Sequence, residues 1–263
     1  MQSRAGWVQN RAKKVSDFLG YHVPREIEDR YNKHNGENKM TPPIRSEQQG
    51  NLIMVYDVKK QFKMLYQPPA TPHIVTVPEM NFLAVRGQGD PNVPAGEYQQ
   101  ALELLYAVAY TIRMSAKAGV ALPGFTEYVV PPLEGFWWQP GLDGFDLQRK
   151  DTFQWISVIR LPEFATVETV QWAKEAAAAK KKQSFDPVEF YSLTEGLCVQ
   201  MLHQGPYDAE PASVAATDAF AVAEGYQLDF SAQRHHHEIY LSDPRRTKPE
   251  KLKTVLRHPV RLA

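Results

Sequence analysis

Two short stretches hold the residue types that could bind and transform an organic molecule. His235-His236-His237-Glu238-Ile239-Tyr240-Leu241-Ser242-Asp243-Pro244 puts one carboxylate in an aromatic, otherwise apolar strand that turns at Asp243-Pro244. His203-Gln204-Gly205-Pro206-Tyr207-Asp208 precedes it with a second aromatic beside a turn. Strand residues alternate faces, so His236, Glu238 and Tyr240 share one side while Ile239 and Leu241 take the other. A lone Glu among aromatics suits a pocket for a flat or cationic organic molecule. An exposed polar face of an antiparallel sheet is the plainer reading of these residues taken alone.

A second carboxylate, Glu134, lies in Pro131-Pro132-Leu133-Glu134-Gly135-Phe136-Trp137-Trp138. The prolines and Gly135 predict a turn, where a Glu is ordinarily solvated. The following aromatics favour a ligand wall instead, since adjacent Trp137 and Trp138 in extended chain point to opposite faces and one of them can line a cleft. If Glu134 and Glu238 face the same cleft, their repulsion raises one pKa and favours cationic guests. Phe136, Trp137, Trp138, Trp155, Tyr128 and Tyr207 are the aromatic candidates for the wall.

Other suggestive residues have plainer readings. Consecutive strand residues His235-His236-His237 cannot converge on one ion, which predicts no metal site and a surface strand. Cys198, the single cysteine, sits in an alternating apolar strand and reads as an inert buried thiol; it excludes an intramolecular disulfide. Gly87-Gln88-Gly89 is too short for a phosphate-binding fingerprint, and no Gly-x-Ser-x-Gly elbow is present.

The elements that must position these groups follow from periodicity. Ile74 to Arg86 reads as extended chain interrupted near Pro78, and Pro94 to Lys117 as a helix with Tyr98, Ala101, Leu102, Leu105, Ala109 and Ile112 on one face. Phe125 to Val130 and Phe153 to Arg160 read as strands. Thr166 to Lys182 is a helix whose basic end complements its C-terminus. Val188 to His203 is extended, Ala212 to Glu224 helical, and His236 to Leu241 and Lys253 to Val260 are the last strands. The order strand, glycine turn, helix, strand, strand occurs twice, over about 72–160 and 186–261. The fold class predicted is α+β: a pseudo-twofold duplication of strand–helix–strand–strand units, with an antiparallel sheet, helices on one side and a ligand cleft between the halves.

Composition bounds the rest. The chain has 263 residues, with Lys+Arg 30 against Asp+Glu 30, so no net field draws it to nucleic acid or acidic lipid. No apolar run spans a bilayer and no signal-type segment opens the chain, which predicts a cytoplasmic protein with no membrane partner, as monomer or homodimer. Residues 1–53 are polar and broken by prolines and glycines. They read as a poorly structured extension, or as the product of a start codon placed ahead of Met54, and are too short and broken for a helix-turn-helix domain. Residues 54–263 form the remaining domain.

Several blocks resemble the GyrI-like small-molecule-binding family: Gly205-Pro206-Tyr207, Gly225-Tyr226, Glu238 to Arg246, and Leu252 to Val260. Tyr56 to Lys60, Gly87 to Pro91 and Leu133 to Trp138 are similar to its stand-alone branch, which includes cyclopropanoid hydrolases. The resemblance implies paired strand–helix–strand–strand units around a pocket, with no cofactor. It makes Glu238 the acidic pocket residue and a general base for water attacking a strained ring. Tyr240, then Tyr207, is the expected donor to the oxygen where charge collects. Hydrolysis of cyclopropane-bearing xenobiotics, sequestration of aromatic or cationic drugs, and gyrase modulation remain open together. The Trp-rich block favours the first over the third.

Overall fold

The computed structural model describes residues 55–142 and 144–263; the readings placed on residues 1–53, and Met54, lie outside them. Two short helices, α1 (Val58–Gln61) and α2 (Lys63–Tyr66), lead into β1 (His73–Gln88), α3 (Glu97–Arg113), β2 (Leu133–Trp138) and β3 (Gln154–Arg160). After α4 (Val167–Lys181) the order returns as β4 (Glu189–Gln204), α5 (Glu210–Ala223), β5 (Tyr226–Leu228), β6 (His236–Tyr240) and β7 (Lys253–Leu262). The two long strands, β1 and β4, pair with each other antiparallel and so join the two units.

Helix α3 forms where its apolar stripe predicts, with Glu97 in the first turn and Arg113 in the last, each the sign that suits its end. Helix α4 starts on the Thr166 side chain, which accepts from the Thr169 amide at 3.3 Å, and ends at Lys182 in left-handed conformation. Strand β1 is unbroken, contrary to the interruption expected at Pro78. Its pairing with β4 passes from Val77↔Gly196 to Glu79↔Thr194 and skips the proline, which has no N–H to offer. Gly196, at φ 68°, supplies the left-handed residue that this local departure uses.

Beyond the antiparallel sheet that periodicity indicated, the sheet closes. Strands run β4-β1-β3-β2-β6-β7, and β4 pairs with β7 from Cys198↔Pro259 to Gln204↔Lys253, making a six-stranded barrel with β5 added beside β7. Alternation along each strand then divides two environments. Phe82, Ala84, Phe136, Val158, Ile239 and Val255 pack in the barrel interior with Val58, Leu65 and Tyr66 from α1 and α2. Leu83, Val85, Leu133, Trp155 and Ile159 face outward and are covered by α3 and α4. Two strand expectations change: 125–130 contributes only an isolated bridge, Tyr56↔Tyr128, whereas Glu134, expected in a turn between Pro131-Pro132 and Gly135, lies in a central strand, Leu133–Trp138, between β3 and β6.

Candidate functional site

On the outer face a cavity of about 320 Å³ opens between the barrel, the start of α5 and the 144–153 loop. Residues from both units line it. Trp137, Phe145, Phe153 and Tyr207 supply aromatic wall, while Glu238, Glu210, Asp208 and Asp218 bring carboxyl groups; no Lys or Arg lines it among the described residues. An aromatic, anionic hollow of this kind favours flat or cationic guests.

Glu238 is set by the β2–β6 register, which pairs it with Gly135 and pairs His236 with Trp137. Paired residues share a face, so these four positions point outward together. Tyr240 donates its hydroxyl to Glu238 Oε2 at 2.6 Å, and Trp137 Nε1–H donates to the Tyr240 oxygen at 2.9 Å. His236 Nε2 lies 2.9 Å from Glu238 Oε1. Gly135 makes this assembly possible. A Cβ there would stand 2.5 Å from Trp137 Nε1 and 3.2 Å from the Tyr240 hydroxyl, so any side chain would push the indole and phenol apart. Charge-assisted bonds on both carboxylate oxygens hold Glu238 in one orientation at the cavity wall.

Two neighbours arrive from the start of α5. Burial, then the charge of Glu238, pushes the Glu210 carboxyl well above the ordinary range. Its Oε1 has no hydrogen-bond partner although the residue is only 6 % exposed. Burial also raises the Tyr207 phenol, as do the charges of Glu210 and Glu238. The site therefore places one hydrogen-bonded carboxyl, Glu238, beside a buried carboxyl of raised proton affinity and a buried phenol.

The expectation that Glu134 shares this cleft is corrected. Glu134 pairs with Ile239, so it points into the barrel, where it has 0 % exposure. There it accepts from the Tyr66 hydroxyl at 2.8 Å and sits 3.0 Å from His237 Nε2. His237 Nδ1 lies 3.0 Å from Glu195, which Arg257 Nη1–H also reaches at 2.7 Å. Burial works against the Glu195 charge, but His237 and Arg257 overcome it and bring its pKa to about 2. Burial likewise disfavours the His237 imidazolium, and Glu195 with Glu134 outweighs that and raises its pKa.

Other aromatic candidates also sit away from the cavity. Phe136 stacks on His237 inside the barrel at 4.1 Å, and Trp138 stacks on His235 at 4.0 Å. Trp155 is fully buried on the outer side, edge-on to Tyr98 at 5.1 Å. Tyr128 packs edge-on to Phe164 at 5.8 Å. The histidine run is not a surface strand, since His236 and His237 are 3 % and 0 % exposed. Among the described residues no cluster of His, Cys, Asp and Glu could hold a metal ion. Burial pushes the Cys198 thiol up to about 12, which leaves it unreactive. No helix among the described residues is long and apolar enough to cross a membrane.

Glu210, Asp218, His258, Phe145 and Phe153 escaped the sequence reading. Glu210 fell in what read as a turn before a helix starting at Ala212, and Asp218 and His258 join the site only through the tertiary fold.

Comparison with known proteins agrees with this geometry. The family model for the GyrI-like small molecule binding domain matches residues 70–261. A crystal structure of an uncharacterized conserved protein from Listeria innocua is 49% identical, covering 78% of this chain and 100% of its own, with TM-score 0.75. Two crystal structures of a hydrolase from Listeria innocua are 46% and 48% identical, cover 78% and 79% of this chain and all of their own, and have TM-scores of 0.71 and 0.73. No curated protein matches. The chain belongs to the GyrI-like small-molecule-binding domain family.

Proposed function

We propose that the outer cavity binds an aromatic or cationic small molecule and hydrolyses a strained, electrophilic one, such as a cyclopropane conjugated to a dienone. One observation carries the reading: a carboxyl held by Tyr240 and His236 shares an aromatic cavity with a second, buried carboxyl, Glu210, whose proton affinity burial and Glu238 raise. A hydrolytic site needs both an acceptor and a donor of protons. The similarity to the Listeria innocua hydrolase supports the same reaction class.

In this reading water attacks the ring methylene while Glu238 takes its proton. The methylene's bond to the dienone carbon breaks, and that electron pair passes through the conjugated system to the carbonyl oxygen. Glu210 then gives its proton to that oxygen, yielding the phenol, and regains one from Glu238 through solvent. Tyr240, the first expected donor to that oxygen, has another task, because its single O–H is given to Glu238. Its contribution is to hold the carboxylate. Tyr207 stands at the wall as a further donor. Trp137 and Phe145 supply the flat surfaces against which the conjugated ring rests, each aromatic contact worth about 0.5–1.5 kcal/mol beyond burial.

The test mixes the protein with a duocarmycin-type cyclopropane compound and follows the water-added product by mass spectrometry. Glu238→Gln should slow turnover by about 10²–10⁴-fold, the usual contribution of a general base. Tight binding without product would assign the cavity to sequestration. Unchanged turnover in the variant would remove Glu238 from the mechanism.

A further inference from the structure

Four side chains from three elements stand in single file, with Asp218, His236 and Glu238 on the cavity wall and His258 behind it. Asp218 of α5 meets His258 Nδ1 at 2.6 Å, and His258 Nε2 meets His236 Nδ1 at 2.6 Å. His236 Nε2 then meets Glu238 Oε1 at 2.9 Å. The far end is closed: Glu238 Oε2 receives the Tyr240 hydroxyl proton, and Tyr240 in turn receives the Trp137 N–H. Each of the three contacts in the file needs one proton between its two heavy atoms. Two ionised carboxylates bring none, and two neutral imidazoles bring one each. A third proton therefore belongs to the file, whatever tautomers the rings adopt.

That excess proton has a defined way out. Burial pushes the His258 imidazole down and disfavours holding the charge there. His236 faces Glu238, with the Phe145 ring edge-on to His236 at 5.2 Å and Phe230 edge-on to His258 at 5.0 Å. The side chains of His236 and His258 are each 4% exposed, whereas Asp218 is 31% exposed and is the file's contact with water. The ionisable groups that face Glu238 from the start of α5 are Glu210 and Tyr207, with Asp208 beside them; none of them is cationic.

We infer that cation binding at this cavity is coupled to proton release: a cationic aromatic ligand settling beside Glu238 takes over the charge of the His236 imidazolium, and the excess proton leaves through His258 and Asp218. In that transfer His258 gives its Nδ1 proton to Asp218 and so to water, and His236 refills His258 at Nε2 from its own Nδ1. His236 keeps its Nε2 proton on Glu238, and Asp218 turns to solvent. One proton departs for one cation bound. A neutral ligand of the same shape displaces none. The inference rests on the ligand reading given under the proposed function, not on hydrolysis.

Titration calorimetry in buffers of different ionisation enthalpy, near neutral pH, measures it directly. The probes are tetraphenylphosphonium, an aromatic cation, and triphenylphosphine oxide, a neutral molecule of related shape. The expected result is release of most of a proton per bound cation and none with the neutral probe. His258→Asn, in the middle of the file and off the cavity wall, should cut the release; Asp218→Asn, whose carboxyl also lines the cavity, should cut it as well and weaken cation binding. Equal proton counts for the two probes, or release unchanged in both variants, would overturn the coupling alone. Failure of both probes to bind would overturn it together with the ligand reading.

Discussion

Strand β6 carries two histidines and, through its neighbours, two acidic networks, one on each side of the barrel wall. His237 points inward to Glu134, Glu195 and Arg257, all of them buried. His236 points outward to Glu238, at the wall of a 320 Å³ cavity. The residue types are nearly the same, and the consequences differ because of access and compensation. Inside, the carboxylates of Glu195 and Glu134 are answered by Arg257 and His237, with Tyr66 taking a further bond. Outside, the carboxyl groups outnumber the cations, and the deficit faces the cavity. A compensated buried network maintains the fold, whereas an uncompensated one beside an opening is available to a ligand.

Breaking the inner network should produce the largest effect. Arg257→Met removes the cation that touches Glu195, Gln200 and the Leu65 carbonyl, and leaves a buried carboxylate with His237 alone of its two cationic partners. The expected loss is about 3–5 kcal/mol of folding stability, read from denaturant unfolding. A loss below about 1 kcal/mol would mean that the interior network is solvated.

Titration should separate the two networks next, because their acids shift in opposite directions. Glu195 is held below its ordinary 4.5, near 2, so its contribution is present above pH 4.5 and disappears as pH falls through about 2. The amount is roughly 3 kcal/mol for a shift of this size. His237 is raised above 6.5, so its stabilisation is complete below 6.5 and is lost as pH rises through its folded value. Glu210 on the outer side is raised above 4.5, so it favours the fold at acid pH and opposes it at neutral pH. Thermal unfolding against pH should therefore show Glu195→Gln losing the acid-limb dependence. Glu210→Gln should be more stable than the parent near neutrality, and a drop there would refute the outward assignment of that carboxyl.

Gly135→Ala gives a smaller change that bears on the outer side alone. The new methyl collides with Trp137 Nε1, so the Trp137–Tyr240 bond must open. The cost should be about 1–3 kcal/mol, as for other overpacked sites, with a shift in Trp fluorescence and weaker ligand binding. An unchanged emission spectrum would show that the indole has room the geometry denies it.

Much of this arrangement was legible in the sequence. Alternation alone puts His236, Glu238 and Tyr240 on one face, and they are joined by hydrogen bonds. The helix stripe of α3, the basic C-terminal end of α4 and the doubled order of elements were equally plain. The face of Glu134 was not, for a physical reason: Pro131-Pro132 and Gly135 look like a turn, and only the pairing with β6 sets the phase of β2. Barrel closure depends on β4 meeting β7, a contact between strands some fifty residues apart that no local pattern encodes. Glu210 stood outside a helix expected to begin two residues later, and its unusual proton affinity comes from burial that appears only once α5 docks. Trp138 and Phe136 share the apolar character of Trp137, and only their parity turns them away from the cavity.

The most direct test of the inside–outside distinction measures affinity for one aromatic cation, such as tetraphenylphosphonium, in folded Glu238→Gln and Glu134→Gln proteins. Removing the outer charge should weaken binding by roughly tenfold or more, equivalent to about 1.4 kcal/mol, while removing the inner one leaves affinity unchanged. Equal losses in both variants, or a loss confined to Glu134→Gln, would contradict the placement of the ligand on the outer face.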